Sequence, residues 1–433
     1  MIFSGKGRIH LNGHKDLTDK AKPIVINDFE YVYIPMMNMN NTNIEILVKE
    51  GDYVKVGQLI GQRNDHFNVP IFSSVSGEVV GIEKMMSASL IYAQHVKIKN
   101  DMKFDAIEQT SKLDVSSAGR KEIVEAIKAA GITGCGGSGF PTYVKYNSEA
   151  IIDTVLINGV ECEPYITIDY KMMITYAEDL VLGVKYLLKA SNAKKAIIAF
   201  KTGKTALKEA VAKALENVSE DITFKEVPDV YPMGWERTLI KELFQKRYKT
   251  LPSEIGVIVN NSTTAIKVAQ ALQGRLQYTT GLTLSGEALN TPTNVIVPTG
   301  AKIADIVEKI GGYKSDLTPG TAKLVMGGPM MGKAVVTDEV ATNTYTNAVN
   351  VLYDEGLEDV ACLRCSRCVE YCPAGLQPVQ IKDAELAQDV KQLEKLAADT
   401  CISCGLCSYI CPSRIQVTDY TSKGKNRLLG SKK

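Results

Sequence analysis

The chain has 433 residues, of which 45% are hydrophobic and 23% are charged, values typical of several folded domains and far from those of a disordered protein. Its 50 basic and 49 acidic side chains leave a formal net charge of +1, which gives no electrostatic support to a nucleic-acid or membrane-surface role. No stretch reaches the roughly 18 uncharged apolar residues of a spanning helix, and residues 1–7 lack the apolar core of a signal peptide. We therefore expect a cytoplasmic protein whose ten cysteines are metal ligands or redox groups rather than disulfides.

The first module is predicted to be a small β domain. Apolar residues alternate with polar ones over residues 44–82, and glycines separate the short strands. This pattern resembles the barrel-sandwich fold of lipoyl and biotinyl carrier domains. Those carriers hold their cofactor on a lysine of the exposed hairpin between the two halves, but residues 63–68 contain no lysine. We therefore expect residues 1–112 to form an unmodified docking domain.

Strands and helices alternate in the next part of the chain, residues 113–276. A helix is predicted over residues 117–128, where Ser117 can serve as the N-cap. Further strands and helices are predicted over 154–157, 176–190, 196–200, 204–217, 222–227, 256–259 and 262–273. This alternation predicts a Rossmann-like α/β domain with a largely parallel sheet. Residues 277–350 return to short strands with one helix over 303–310, which predicts a β-grasp-like domain.

A glycine-rich loop lies inside the predicted α/β domain. It contains Gly134, Gly136, Gly137 and Gly139, and Lys145 follows closely. Closely spaced glycines let backbone amides approach a phosphate, and the start of a nearby helix adds a favourable dipole. The lysine can pair with a phosphate or polarise a ring carbonyl. A loop of this kind is weak support for a cofactor unless other motifs accompany it.

Eight of the ten cysteines lie in the last fifth of the chain, in two copies of the pattern C-x-x-C-x-x-C-x-x-x-C-P. This is the bacterial ferredoxin spacing for [4Fe–4S] clusters, in which the fourth cysteine of each run ligates the other cluster. Paired zinc sites are the alternative, but structural zinc is typically held by separated pairs of ligands. Residues 351–433 are therefore expected to be a twin-cluster ferredoxin domain, with a helix over residues 380–399 between the copies. The expected ligands are Cys362, Cys365, Cys368 and Cys411 for one cluster, and Cys401, Cys404, Cys407 and Cys372 for the other.

Four motifs together resemble those of one family. The glycine loop, residues 134–145, resembles the flavin loop shared by the flavin subunit of respiratory complex I and by RnfC-type proteins. Residues 158–164 (NGVECEP) resemble the next signature, residues 260–264 (NNSTT) a later Asn-Asn motif, and residues 231–236 (YPMGWE) the segment whose acidic residue faces NADH. The order of the modules is similar to that of RnfC-type proteins over nearly the whole chain, whereas the complex I subunit has one cluster.

This resemblance implies FMN and NADH as cofactors beside the clusters. It implies that Glu161 and Glu163 are catalytic candidates that position the flavin ring or the nicotinamide, with helix capping or solvation as their alternative role. Glu236 and Phe140 are expected to shape the NADH pocket. The implied cofactor-binding residues are Gly134, Gly136, Gly137, Gly139, Phe140, Lys145, Asn158, Gly234, Glu236, Asn260, Asn261 and Thr264.

Several departures from the family pattern bear on the partner. Cys135 stands where RnfC-type chains have an apolar residue, and a thiol among backbone amides beside a flavin is expected to have a lowered pKa and redox activity. Cys135 is therefore a third catalytic candidate. A disulfide with Cys162 is a sharper hypothesis, and a buried filler role is the plain alternative for Cys162. Trp235 replaces a usual glycine, and both chain ends differ from the family pattern.

These departures resemble an RnfC-like variant that serves amino-acid reductases, especially D-proline reductase. We therefore expect an NADH-oxidising flavin and iron-sulfur protein that passes electrons to amino-acid reductase subunits. The alternative is the NADH subunit of a membrane Rnf complex, docked peripherally on membrane subunits at the inner face of the cell membrane. A third hypothesis is a non-catalytic electron-wiring protein whose flavin site has decayed, with Trp235 blocking the site.

Overall fold

A computed structural model describes residues 7–108, 112–276, 278–317, 321–354, 356 and 358–431. Residues 1–6, on which the expectation about a signal peptide depends, lie outside the described residues, as do residue 277, where the β-grasp domain is expected to begin, and residues 432–433. Among the described residues, no helix is both long enough and apolar enough to cross a bilayer.

The first module, the barrel domain, consists of small antiparallel sheets. One sheet has the order β2-β8-β7-β4 and the other β3-β5-β6, while β1 pairs with a strand of a later domain. The hairpin between β5 and β6 is not a free tip as in a carrier, because the Phe67 ring contacts Phe140 at 5.4 Å and the Asn68 N–H donates to the Tyr143 hydroxyl at 2.9 Å. The strands are β1 (Ile24–Val25), β2 (Tyr31–Pro35), β3 (Glu45–Ile46), β4 (Tyr53–Val54), β5 (Leu59–Asn64), β6 (Asn68–Phe72), β7 (Gly77–Met86) and β8 (Tyr92–Asn100).

The second module, the α/β domain, has the predicted parallel sheet. Its elements are α1 (Arg120–Ala129), α2 (Thr142–Tyr146), β9 (Thr154–Asn158), α3 (Ile168–Thr175), α4 (Ala177–Ser191), β10 (Lys195–Lys201), α5 (Thr205–Ala214), β11 (Asp221–Val227), α6 (Glu236–Phe244), β12 (Val257–Asn261) and α7 (Ser262–Leu272). The strand order is β11-β10-β9-β12, and every neighbouring pair is parallel. The winding therefore reverses between β9 and β12, which is where α/β sheets bind their ligands.

The start of α1 and three further helices differ from the sequence predictions. Gly119, not Ser117, precedes α1, and the Ser117 hydroxyl instead contacts Asp114 Oδ2 at 3.2 Å. Local hydrogen bonding of this kind is a common competitor of helix capping. The helices α2, α3 and α6 were not predicted, because they are short and begin within loops that carry the site motifs.

The third module, the small β domain, packs against the α/β domain. It contains β13 (Thr279–Ser285), β14 (Thr293–Pro298), α8 (Ile303–Lys309), β15 (Ala322–Met326), β16 (Lys333–Val335) and β17 (Ala348–Tyr353). The sheet order is β1-β14-β13-β17-β15-β16, so the first strand of the chain completes a sheet formed mainly by residues far along it. The turn between β15 and β16, residues 327–332, reaches over to the α/β domain.

The cysteine domain, residues 358–431, is helical. It contains α9 (Arg367–Glu370), α10 (Pro378–Leu386), α11 (Val390–Lys395), α12 (Leu406–Tyr409) and α13 (Val417–Ser431). The prediction of one helix over residues 380–399 is wrong, because Gln388 has φ +54° and the Asp389 side chain caps a new helix by accepting the Gln392 N–H at 3.0 Å. Short 3₁₀ helices cover Lys15–Leu17, Pro252–Ile255 and Ala398–Thr400.

Close packing of α4 against α7 fixes the position of the helix that begins at the Asn-Asn motif. Gly183 on α4 is buried, and a β-carbon there would overlap the carbonyl oxygen of Ala265 on α7. Both helices also contribute apolar side chains to one core, among them Leu180 and Ile266. The glycine is therefore required by the approach of the two backbones.

Replacing Gly183 with alanine is expected to separate the two helices and to destabilise the protein by about 1–3 kcal/mol, the usual cost of overpacking a core. The matched control is Gly430→Ala on α13, where no atom lies within 4 Å of the added β-carbon. Anaerobic thermal unfolding followed by circular dichroism measures both. Equal stability of the two variants would contradict the packing described.

Candidate active site

The sequence-predicted flavin residues meet at one cleft at the carboxyl end of the parallel sheet. In the register of β9 and β12, Asn158 lies beside Asn261 and Ile157 beside Asn260. A cleft of about 610 Å³ opens at this point, where the winding of the sheet reverses. The predicted residues that line it are Gly134, Gly136, Gly137, Lys145, Asn158, Glu161, Glu163, Gly234, Glu236, Asn260, Asn261 and Thr264.

The glycine loop presents bare backbone to the cleft. Gly137 has φ +91°, and no atom lies within 4 Å of where a β-carbon would be. The barrel domain holds this loop from outside: Asn38 Nδ2 donates to the Gly139 carbonyl at 2.9 Å, and the Arg63 guanidinium donates to Asn38 Oδ1 at 2.8 Å. The docking role expected of the barrel domain is thus directed at the loop.

The N-terminus of α7 borders the same cleft. Asn261 caps the helix, since its Oδ1 accepts the Thr264 N–H at 3.1 Å, and its Nδ2 donates to Asp169 Oδ2 at 2.6 Å. The buried Asn260 amide donates to the Tyr146 hydroxyl. The two asparagines therefore hold the first turn of α7 in place, and the N–H groups and dipole of that turn favour an anion in the cleft.

Asn158 and Gly234 join two other walls of the cleft. The Asn158 amide donates to the Gly234 carbonyl at 2.7 Å, and its Oδ1 accepts the Val160 N–H at 3.0 Å. A β-carbon on Gly234 would overlap the Val160 carbonyl and lie 3.0 Å from Cys162 Sγ. This close approach explains why glycine stands directly before Trp235.

Buried acids and an amine form the polar centre of the site. Glu161 Oε1 accepts the Asp169 N–H at 2.9 Å, while Glu161 Oε2 is buried, lies 3.8 Å from Lys15 Nζ and takes no hydrogen bond among the described residues. Burial, reinforced by Glu161, raises the pKa of Asp169 to about 6. Burial also lowers the pKa of Lys15 to about 8 despite the attraction of Glu161. Such perturbed groups in a cleft are typical of a functional site.

Glu163 lies where the cleft meets the small β domain. Its Oε2 accepts the Met330 N–H at 3.1 Å, and its Oε1 lies 3.3 Å from the Tyr231 hydroxyl. Burial raises the pKa of this carboxyl to about 7, although the Met330 amide and Tyr231 oppose the shift. The turn formed by residues 327–332 approaches so closely that a side chain at Gly328 would overlap the carboxylate.

Lys145, Trp235 and Glu236 complete the lining. The buried Lys145 Nζ donates to the Val259 carbonyl at 2.7 Å, and burial lowers its pKa while Glu236 opposes the shift. Glu236 begins α6 and accepts the Tyr248 hydroxyl at 2.5 Å. Trp235 borders the cleft without filling it, because about 610 Å³ is open beside the indole.

The expectation of a lowered pKa at Cys135 is wrong. Burial raises the pKa of the Cys135 thiol to about 11, and the nearby Lys267 amine opposes this only in part. The thiol lies 3.5 Å from the Thr133 carbonyl and borders a separate cavity of about 90 Å³ rather than the flavin cleft. Cys135 and Cys162 are both free thiols, so the structure contains no disulfide between these two residues.

Phe140 and Gly139 also lie apart from the lining of the cleft. The Phe140 ring packs edge-on against Phe67 of the barrel domain. A β-carbon on Gly139 would lie 2.8 Å from the Tyr345 ring of the small β domain. Both residues therefore position the glycine loop from behind, whereas the sequence motif predicted that they bind the cofactor.

Three contributors to the site were missed from sequence. Asp169 and Lys15 belong to segments without a recognisable motif, and only the fold brings Lys15 to within 3.8 Å of Glu161. The third is the turn of residues 327–332, whose Met326, Gly327, Gly328, Met331 and Gly332 line the cleft together with its flanks. The repeated glycines of this turn are a signal that could have marked it.

The eight clustered cysteines surround two small cavities, four to each. One is bordered by Cys372, Cys401, Cys404 and Cys407, and the other by Cys362, Cys365, Cys368 and Cys411. These are the two crossed sets that the spacing predicts. Within the described parts of the chain, no group of three or more His, Cys, Asp or Glu side chains is arranged to hold a single metal ion.

The donor groups fit the expected cofactors. Four thiols around one small cavity match the ligand set of a [4Fe–4S] cluster. In the large cleft, bare glycine backbone, a helix N-terminus, the amine of Lys145 and the unpaired Glu161 Oε2 offer donors and acceptors to a polar ligand with a phosphate. FMN has this chemistry.

Family models match every module of the chain. The model of the RnfC barrel sandwich hybrid domain matches residues 3–103, and that of the Nuo51 FMN-binding domain matches residues 127–270. The SLBB domain model matches residues 282–334, and the 4Fe-4S dicluster domain model matches residues 361–415. These matches confirm the expected fold class, module order and cofactors, FMN and two [4Fe–4S] clusters.

Curated relatives resemble the chain over most of its length. The RnfC protein of the Na⁺-translocating ferredoxin:NAD⁺ oxidoreductase complex of Acetobacterium woodii is 32% identical over 87% of this chain and 86% of that protein. Its counterpart in the proton-translocating complex of Clostridium ljungdahlii is 30% identical over 90% and 87%. Among solved structures, an air-oxidised NAD⁺-reducing [NiFe]-hydrogenase gives a TM-score of 0.49 at 15% identity over 75% of this chain and 69% of that chain, too weak a likeness to inform function. The identity and coverage of the curated relatives place this chain in the RnfC family, whose members belong to ion-translocating ferredoxin:NAD⁺ oxidoreductase complexes.

Proposed function

We propose that this chain is the NADH-reactive subunit of an Rnf-type complex, in which electrons from NADH leave the cleft through the two clusters to a redox partner. The observation that carries this proposal is the convergence of the predicted flavin residues on a cleft whose wall also contacts the cysteine domain. The names of the relatives, which describe ferredoxin:NAD⁺ oxidoreductase complexes, support it.

The chain's own residues bind and orient the reactants. FMN, when bound, supplies a centre that accepts electrons in pairs and releases them singly. The glycine loop and the first turn of α7 offer N–H groups to phosphate or ribityl oxygens, and the Glu161 Oε2 that takes no hydrogen bond among the described residues offers an acceptor. Glu236 and Trp235 border the open side available to a nicotinamide. Fixed donors in a partly dehydrated cleft set distance and orientation.

The membrane-complex version is now preferred to the amino-acid reductase version. The reductase version depended on Cys135, whose thiol has a raised pKa and borders another cavity, and on Trp235, which leaves the cleft open. The same open cleft argues against the decayed-site hypothesis. In the membrane-complex version, the chain docks on membrane subunits at the inner face of the cell membrane.

Anaerobic co-purification distinguishes the two partner classes. The affinity-tagged chain, extracted from its own cells in mild detergent, is expected to retain membrane subunits of an Rnf-type complex. Recovery of amino-acid reductase subunits instead, at similar stoichiometry, would reverse the preference.

Substitution of Gly136 with leucine is expected to lower the flavin content at least tenfold. A β-carbon on Gly136 lies 3.1 Å from Asn261 Nδ2, so the rest of the leucine side chain must occupy the cleft. The iron content is expected to stay near the roughly eight atoms of two [4Fe–4S] clusters, because the cysteine domain is not altered. Flavin fluorescence after acid release and an iron assay measure both quantities.

Gly119→Leu is the matched control, because nothing lies within 4 Å of its added β-carbon and it belongs to the same domain. It is expected to bind flavin as the unaltered chain does. Full flavin content in Gly136→Leu would show that FMN does not bind in this cleft.

Glu163→Gln is expected to change the pH dependence of stability. Because burial raises the folded-state pKa of Glu163 from 4.5 to about 7, its stabilising contribution is complete below pH 4.5 and is lost as the pH rises through about 7. Glutamine does not ionise, so the stability of the variant relative to the unaltered chain should increase between pH 5 and pH 8 by about 1–3 kcal/mol. Urea midpoints measured anaerobically at both pH values test this, and a pH-independent difference would contradict it.

A further inference from the structure

We propose that Tyr231 is a positioning residue that holds the loop of residues 401–407 against the flavin cleft. The cluster bound by Cys372, Cys401, Cys404 and Cys407 is then the one that exchanges electrons with the cleft. The other cluster faces the partner. This inference rests on the proposed function, because it orders the two clusters within that electron path.

Tyr231 connects the two sites directly. Its ring is almost completely buried, with 1% exposure, and its hydroxyl donates to the Cys404 carbonyl at 2.5 Å. The same oxygen lies 3.3 Å from Glu163 Oε1, a carboxylate that lines the cleft. The backbone of Tyr231 is fixed as well, since its N–H and carbonyl bond to Ile9 at 2.7 and 3.0 Å. One rigid side chain thus joins a cleft residue to a cluster loop.

A second contact presses the same loop onto the same wall. Gly405 has φ +77° and lies against the carbonyl of Met330, where any side chain would overlap that oxygen. The N–H of Met330 in turn donates to Glu163 Oε2 at 3.1 Å. Cys162, which borders the cleft, packs in one apolar group with Tyr231 and Cys404. Several residues therefore link the 401–407 loop to the flavin cleft.

The other cysteine set has a different environment. Cys365 is exposed, and the neighbouring Leu363 and Val360 are 68% and 62% exposed. Exposed apolar side chains beside a redox centre are suited to contact with another protein. The crossed ligands keep the two clusters adjacent. The arrangement therefore runs from the cleft to the Cys404 cluster, then to the Cys365 cluster and its exposed surface.

Loss of the Tyr231 hydroxyl should act on one cluster. Hydrogen bonds around a cluster tune its reduction potential, and the hydroxyl offsets the negative end of the Cys404 carbonyl. Without the hydroxyl, that uncompensated carbonyl disfavours the more negative, reduced form of the nearby cluster. In Tyr231→Phe we expect one of the two clusters to shift to lower potential while the other stays unchanged.

The experiment compares Tyr231→Phe with the control Tyr313→Phe. Tyr313 lies in the small β domain, and its hydroxyl donates to Asp338 Oδ2 at 2.7 Å. After flavin and iron contents are checked, a redox titration followed by electron paramagnetic resonance measures both clusters. Stopped-flow absorbance is expected to show flavin bleaching by NADH within twofold of the unaltered chain and cluster reduction at least tenfold slower. No shift in either cluster, or equal shifts in both, would overturn the inference.

A measurement on the unaltered chain keeps the inference testable should Tyr231→Phe fail to fold. Amide hydrogen exchange is expected to be slower in residues 401–407 than in residues 362–368, and equal or faster exchange would overturn the positioning role. Failure of the proposed function gives a different result. If NADH does not bleach the flavin of the unaltered chain, the function is wrong, while the titration and the exchange still decide the role of Tyr231.

Discussion

The parallel pairing of β9 with β12 is the constraint on which the site depends. It sets Asn158 beside Asn261 at the carboxyl ends of two strands, where the sheet changes its direction of winding. Helices that follow the two strands must leave on opposite sides of the sheet, which opens a crevice between them. The glycine loop and the turn of residues 327–332 then close the crevice from the α/β domain and the small β domain. Every later contact with the cysteine domain follows from this geometry.

The polar groups of the cleft are maintained at an energetic cost. Burial shifts the pKa of Glu163 to about 7, that of Asp169 to about 6 and that of Lys15 to about 8, each towards its neutral form. A merely structural cluster would gain stability from apolar replacements of similar volume. Retention of charge here, with Glu161 Oε2 taking no hydrogen bond among the described residues, fits a site completed by a ligand. The barrel domain belongs to the same unit, because Asn38 and the hairpin hold the glycine loop.

Much of this arrangement could be predicted from the sequence, and the failures have physical reasons. Cysteine spacing predicted the two crossed sets because a run of eleven residues can reach only a few positions around one cluster. The alternation of strands and helices predicted the parallel sheet. Cys135 failed because neighbouring residues in an extended loop point to opposite sides, so a motif position does not show which cavity a side chain faces. Lys15 and Tyr231 could not be predicted, since their roles arise from contacts between residues more than a hundred positions apart.

An anaerobic NADH titration of the purified chain is the sharpest test of an electron path that joins NADH to both clusters through one cleft. Absorbance follows the flavin, and electron paramagnetic resonance follows the clusters in the same samples. We expect loss of flavin absorbance followed by the signal of reduced [4Fe–4S] clusters, with flavin and iron present near one and roughly eight per chain. A chain that contains both cofactors but shows no flavin or cluster reduction by NADH would contradict this path.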